Sequence, residues 1–207
     1  MQATRHPIRH LLVFLRGHSV ARQRRRCRLE QLAAIDQLAI YNQIPASHQA
    51  ERFAQLKKMF AEIGAKSYIE APFHSNFGGA HVHFGSGIYA NFNLTLVDDT
   101  HIYVGDRTMF GPNVTLVTAT HPIDPSLREQ GYQYNKPIHV GRNCWFGANV
   151  TVMPGVTIGD NTVIGAGSLV TKDIPANVVA FGSPCHVVRN ITEEDRKTYD
   201  HGKPIDL

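Results

Sequence analysis

Two kinds of hydrophobic periodicity divide the chain. Between residues 29 and 63, Leu32, Ile35, Leu38 and Ala39 recur at steps of three to four, the spacing of one helix face. The stretch YNQIPAS interrupts this run: Pro45 breaks the helix and Ser47 is placed to cap a second one. In that second helix Phe53, Leu56, Met59, Phe60 and Ile63 form one apolar stripe, and Gly64 supplies the stop. Stripes of this kind are packing surface. From residue 67 the helical period stops, and Gly, Asn, Asp, Val and Thr dominate. Val140, Phe146, Val152, Ile158, Ile164 and Val170 then stand at an unbroken spacing of six. Gly141, Gly147, Gly159 and Gly165 each follow an anchor directly. Cys144, Val150, Val156, Thr162, Ser168 and Ile174, all small or β-branched, stand four residues after the anchors. Upstream, Val104, Phe110 and Leu116 keep the same period, with Gly105 and Gly111 in register.

A six-residue repeat of this form is one short strand plus one corner. The anchor points inward, and the Gly–x–Asn/Asp part turns the corner, where Gly and Asn tolerate positive φ. Three such units make a triangular coil of about 18 residues, and stacked coils bury a single apolar column. Between Leu116 and Val140 the anchors fail: positions 122, 128 and 134 are Pro, Arg and Tyr. Residues 121–137 therefore leave the coil as a loop. A long insertion in a regular repeat is a place to look for function, and His121 stands at its root.

Composition narrows the classes. With 207 residues, 43% hydrophobic and 18% charged, the chain has enough apolar content for a buried core, which excludes a mostly disordered protein. The apolar run near the N-terminus, Leu11–Leu15, falls far short of the ~20 residues of a membrane span. The net charge of +4 is uneven: residues 1–30 hold eight arginines against one acid, Glu30, and the remainder is net negative. The basic character belongs to the head, so nucleic-acid binding by the body of the protein loses its main support. Three cysteines, Cys27, Cys144 and Cys185, are not a disulfide framework, and a reducing cytoplasm is the expected setting. The organisation expected is a basic tail over 1–28, solvated or partly helical, a helical segment over 29–66, a β-helix over 67–192 and a C-terminal tail over 193–207.

The segments YANFNLTLVDD (89–99), GPNVTLVTATHPIDPSLREQG (111–131) and PGVTIGDNTVIGAGSLVTKDIPANVVAFGSPCHVVRNI (154–191) carry a resemblance. They resemble the hexapeptide-repeat sugar O-acetyltransferases, the maltose, galactoside and nodulation-type enzymes, over roughly residues 40–192. The resemblance implies a mainly β fold, a left-handed parallel β-helix preceded by a short α-helical segment. It implies direct acetyl transfer from acetyl-CoA to a sugar hydroxyl with no metal. It also implies a homotrimer whose sites lie between subunits, with loop 121–137 reaching a neighbour.

The same resemblance assigns residues. His121, in TATHP, matches the family's catalytic His; a neutral imidazole, with an ordinary pKa of ~6.5, suits proton removal from an attacking hydroxyl. Asn91 and Asp99 match acceptor-pocket residues, and Asn76 falls where many relatives have Asp or Ser. Trp145, the one tryptophan, takes the outward position of its repeat, and the family places a Trp there beside the site. CoA contacts map to Ala148 and Ala166 through backbone amides, and to Thr171, Lys172 and Arg189; His186 stands where relatives often carry Arg. Cys144 is expected in the core, and Cys185 lies in SPC, which has no nucleophilic role in the family. The family's N-terminal acceptor-site Asp, in a tyrosine-containing stretch, has no counterpart in residues 1–28, which leaves the acceptor open.

Two other functions fit the repeat. A β-helix that has lost acceptor binding would be a non-catalytic binding or scaffold protein. A zinc enzyme resembling the γ-class carbonic anhydrases could use His81 and His83, two apart and hence on one strand face, although that family's two His separated by four intervening residues are missing.

Overall fold

The computed structural model describes residues 18–199 and 202–205, with side chains from Arg28 onward. Most of the expected basic tail, including the apolar run at 11–15, lies outside the described residues. The chain begins with helix α1 (His18–Gln43), which runs through the expected boundary at residue 28. Helix α2 (Gln49–Met59) follows, and then short strands of mostly two or three residues.

The strands form a parallel β-helix with three faces. The first face stacks 62–63, 82–84, 102–104, 138–140 and 157–158. The second stacks 68–69, 89–90, 109–110, 145–146, 163–164 and 178–182, and the antiparallel strand Cys185–Asn190 closes its C-terminal end. The third stacks 74–75, 95–97, 115–117, 151–152 and 169–170. In the C-terminal coils Trp145 pairs with Val163 and Thr151 with Leu169, each eighteen residues on, as the hexapeptide period requires. Ile102 pairs with Ile138, thirty-six residues on. The excursion therefore adds a full coil's length, and the strand phase is the same on either side of it.

All nine anchors from Val104 to Val170 are buried. So are the six residues four positions after the C-terminal anchors, Cys144 among them. Phe84, Phe110 and Phe146 stack down the axis at centroid distances of 6.1 and 4.9 Å. The corner chemistry divides differently from expectation. Asn143, Asn149 and Asn161 hold positive φ, near 55–59°. The glycines that precede them by two serve close approach: a Cβ on Gly147 would stand 2.5 Å from the backbone N of Ala166, and one on Gly141 2.6 Å from that of Asp160. Coils touch backbone to backbone at these corners, which only Gly allows.

The helices cap the open N-terminal end of the coil stack. Phe60 packs edge-on to Phe73 and Phe84, and Tyr41 edge-on to Phe73. Tyr41 also donates its hydroxyl to the Ile69 carbonyl at 2.5 Å. Arg52, buried, donates to the Ile44 carbonyl from two nitrogens and to the Tyr68 hydroxyl, which satisfies a charge taken out of water.

Three local expectations are corrected. In α1 the buried positions are Leu38 and Tyr41, whereas Leu32 and Ile35 are 49% and 41% exposed, because the covered face runs through Ala34 (which backs onto Gly78), Leu38 and Tyr41 and leaves those two positions off it. The N-cap of α2 is His48 instead of Ser47. The helix stops at Met59 because Phe60 turns extended, so Ile63 belongs to the first strand and the β-helix starts at Glu62 instead of residue 67. Within the C-terminal tail, the described residues carry local structure: a 3-10 turn at Glu193–Arg196 with a capping box from Thr192, and a ribbon that pairs 198–199 with 203–204.

Candidate active site

The short strands sort the expected site residues onto two corners. Trp145 opens a second-face strand, and Asn91, Ala148 and Ala166 follow such strands, where the second face turns into the third. Asn76, Asp99, Thr171 and Lys172 follow third-face strands, where the third face turns into the first, and His121 follows the ribbon strand 119–120 that leaves the coil at the same corner. The third face lies between the two sets. From residue 113 to 118 it spans roughly 15 Å at the rise of an extended chain.

At the first corner a groove of about 290 Å³ brings Asn91, Trp145 and Ala148 together, with Tyr89, Met109 and Gly147 also in its wall. Trp145 stands in register between Met109 and Val163 on adjacent coils and is 52% exposed, the outward placement its position in the repeat predicts. Tyr89 and Met109 are exposed too and were missed from sequence; the signal for them was their place one residue before an inward position, as for Trp145. Ala166 lies one coil beyond Ala148, whose carbonyl accepts from Gly167 N at 2.8 Å.

At the second corner the loop leaves through an antiparallel ribbon in which Ala119 pairs with Asn135 and Thr120 with Tyr134. Helix α3 (Pro125–Glu129) forms its tip, capped by Asp124. The ends of this ribbon fix His121. Its Nδ1 lies 2.9 Å from the carbonyl oxygen of Tyr132. A carbonyl only accepts, so Nδ1 carries the hydrogen, and in the neutral ring Nε2 holds the free lone pair. The ring is exposed.

The two aspartates of VDD differ. Asp98 is fully buried; its carboxylate accepts from Ser75 Oγ, Phe77 N and Gly79 N, so it holds a turn. Asp99 is half-buried, and its two oxygens accept from Asn76 Nδ2 at 2.8 Å and Gln133 Nε2 at 2.9 Å. Gln133 was not foreseen, because nothing in a loop sequence says which amide reaches a carboxylate far back in the chain.

Thr171 and Lys172 are exposed at the same corner, whereas His186 and Arg189 lie on the strand that closes the second face. Arg189 is already engaged: it donates to both oxygens of Asp195 at 2.7 Å. That contact raises the guanidinium's pKa and lowers the Asp195 carboxyl to about 2, with Thr192 N adding to the effect. Burial pushes the Cys144 and Cys185 thiols up, away from a nucleophilic state.

The histidines of the zinc alternative have other partners. His81 Nδ1 donates to the Asp98 carbonyl at 2.6 Å, and His83 Nε2 lies 2.9 Å from His101 Nδ1. Among the described residues no group of three or more His, Cys, Asp or Glu is arranged to hold a metal ion. No helix among them is long and apolar enough to cross a membrane.

Residues 137–172 match the family model for bacterial transferase hexapeptide (six repeats). A galactoside O-acetyltransferase of Lactococcus lactis subsp. lactis (strain IL1403) is 61% identical over 178 residues, 86% of each chain. The galactoside O-acetyltransferase of Escherichia coli (strain K12) is 47% identical over 77% of this chain and 78% of that one. Among solved structures, a galactoside acetyltransferase in complex with coenzyme A superposes with a TM-score of 0.83 at 43% identity, covering 86% of this chain and 88% of that one. Identity at this level across most of the length, on a shared β-helix, places the protein in the hexapeptide-repeat sugar O-acetyltransferase family.

Proposed function

We propose that the protein moves an acetyl group from acetyl-CoA to a hydroxyl of a sugar by direct transfer, with His121 as general base. The observation that carries this reading is the Tyr132 carbonyl on His121 Nδ1. It sets the tautomer with Nε2 bare, on an exposed ring beside a carboxylate-bearing corner. His121 Nε2 takes the proton of the acceptor hydroxyl as its oxygen attacks the thioester carbon. The imidazolium then returns that proton to the departing thiolate, so the products are the acetyl ester and CoA. Asp99 and Asn91 orient the acceptor through hydroxyl hydrogen bonds. Ala148 and Ala166 leave space for the pantetheine arm, while Thr171, Lys172, His186 and Arg189 face its phosphate end. The family relatives, named as galactoside and maltose O-acetyltransferases, support a sugar acceptor, and the relatives bound to coenzyme A or acetyl-CoA support the donor.

The two corners of one chain lie on either side of the third face, so a complete site takes its halves from two copies. The third face supports this: Thr95, Thr115 and Thr151 stand in register on its outer side, a flat strip of half-buried residues. In a homotrimer with that face toward the threefold axis, the His121 corner of one copy meets the Trp145 corner of the next.

The test is sugar-dependent CoA release from acetyl-CoA across glucose, maltose, galactosides and amino sugars. Wild type is expected to turn over and His121→Ala to be inactive with its fold intact; turnover by the variant would sink the reading. Mixing His121→Ala with Trp145→Ala, then dissociating and reassembling them, should restore activity through mixed sites. No restoration would argue for a site within one copy. Acetyl-CoA binding without release for any sugar would favour the scaffold function.

A further inference from the structure

Gln133 has no part in the mechanism so far, yet its side chain is bonded to the Asp99 carboxylate and it follows the residue that holds His121. Its Nε2 lies 2.9 Å from Asp99 Oδ1 and 2.9 Å from Asn135 Oδ1. An amide nitrogen has two hydrogens, so both are used. Asn135 Nδ2 in turn donates to the Asp99 carbonyl at 3.3 Å, which closes a ring of Asp99, Gln133 and Asn135. Asn135 is buried and pairs with Ala119, two residues before His121. The residue preceding Gln133 is Tyr132, whose carbonyl holds His121. One short segment, residues 132–135, thus fixes the base through its main chain and the carboxylate through its side chains.

The chemistry of position 133 is narrow. It faces two acceptor oxygens, so it must donate twice without adding charge. A Glu there would set carboxylate against carboxylate, and a Leu would leave both oxygens short of a donor. With one amide on each oxygen, the Asp99 carboxylate still has lone pairs for a substrate hydroxyl.

We infer that Gln133 is a positioning residue of the acceptor site: it locks the Asp99 carboxylate against the His121-bearing ribbon and so sets affinity for the acceptor without touching the reacting atoms. The inference rests on the reading of His121 and Asp99 as base and acceptor-binding carboxylate.

Steady-state kinetics on the full chain test it, with acetyl-CoA and the best acceptor from the sugar panel. Gln133→Leu should lower kcat/KM for the acceptor roughly ten-fold or more, the loss of a hydrogen bond to a charged group, with KM for acetyl-CoA unchanged. In an Asp99→Ala background the same substitution should change kcat/KM by less than about two-fold, because the partner is gone. Gln133→Glu, of the same shape, can donate only while the new carboxyl holds its proton. The wild-type to variant ratio of kcat/KM should therefore grow with pH. Wild-type kinetics in Gln133→Leu, an equal loss in both backgrounds, or a pH-independent ratio for Gln133→Glu would overturn the inference. A crystal structure of Gln133→Leu decides the geometry separately: Asp99 displaced is expected, and Asp99 in its wild-type rotamer overturns it. Should the wild type release no CoA with any sugar, the functional reading fails by itself and the crystal structure alone decides the positioning role.

Discussion

The main-chain carbonyl of Tyr132 lies 2.9 Å from Nδ1 of His121, so the loop's return strand selects the tautomer of the ring at its departure point. Anchoring and proton transfer use different nitrogens and can be separated. In His121→Asn an amide N–H remains near the place of Nδ1, but no base replaces Nε2. His121→Ala loses both. Each variant should lose roughly 10²–10⁴-fold in turnover, the ordinary worth of a general base. Only His121→Ala should make loop 121–137 more sensitive to limited proteolysis. Equal sensitivity in the two would mean that the carbonyl contact does not hold the loop.

Trp145 is a single-site reporter. It is the one tryptophan of the chain, 52% exposed, and shares the groove with Asn91 and Ala148. Titration with CoA should shift its emission to shorter wavelength and saturate, as a wet indole becomes covered. Trp145→Ala should change stability by no more than about 0.5 kcal/mol, as for an exposed side chain, yet reduce sugar-dependent turnover. A spectrum unmoved by saturating CoA would separate this groove from the donor.

The coil body was legible because its code is local. Every anchor meets the same surroundings, so Val140 and Val170 announce themselves by spacing alone, and each is buried where the period puts it. The role of the glycines was half legible. Sequence shows a corner, but whether Gly147 is needed for its φ or for a neighbour is decided by Ala166 on the next coil. The helices were less legible. Leu32 and Leu38 look alike in a stripe, and only the docking of the helix, with Ala34, Leu38 and Tyr41 on its covered face, decides which one is buried. Gln133 was illegible, since its partner lies 34 residues away across the loop. Asp195 left a readable trace: Thr192 and Asp195 have the spacing of a capping box, a sequence signal for the turn that follows.

Gly147 and Gly167 offer a paired test of the corner. Alanine at 147 drives a Cβ to 2.5 Å from the main chain of Ala166, so the coils must part at the groove floor. A cost of about 1–3 kcal/mol is expected, that of overpacking, together with weaker CoA binding. Gly167 has positive φ, +71°, with nothing within 4 Å of an added Cβ. Gly167→Ala should cost about 1 kcal/mol from backbone strain alone and leave the groove shape intact. Thermal unfolding and CoA titration of both variants check this. If Gly147→Ala bound CoA like wild type, the groove floor at Gly147 and Ala148 would not be a donor contact.

The Arg189–Asp195 pair sets an acid limit on the C-terminal turn. Asp195 is held at about 2, first by the Arg189 hydrogen bonds and then by Thr192 N. Its unfolded value is near 3.9. The folded value is the lower one, so the contribution is present at neutral pH and is lost as pH falls from ~4 through about 2. Protonation frees Arg189 and removes the carboxylate that caps residues 193–196. NMR of the Thr192–Lys197 amides should show that turn loosening across this window while the coil amides stay put. Asp195→Asn should show the loosened signals already at neutral pH and no transition on acidification. The same variant releases a guanidinium on the strand assigned to the phosphate end of the donor, so its KM for acetyl-CoA should fall at low ionic strength and rise toward wild type as salt screens the contact. An unchanged KM at all salt concentrations would mean that Arg189 serves the turn and not the donor.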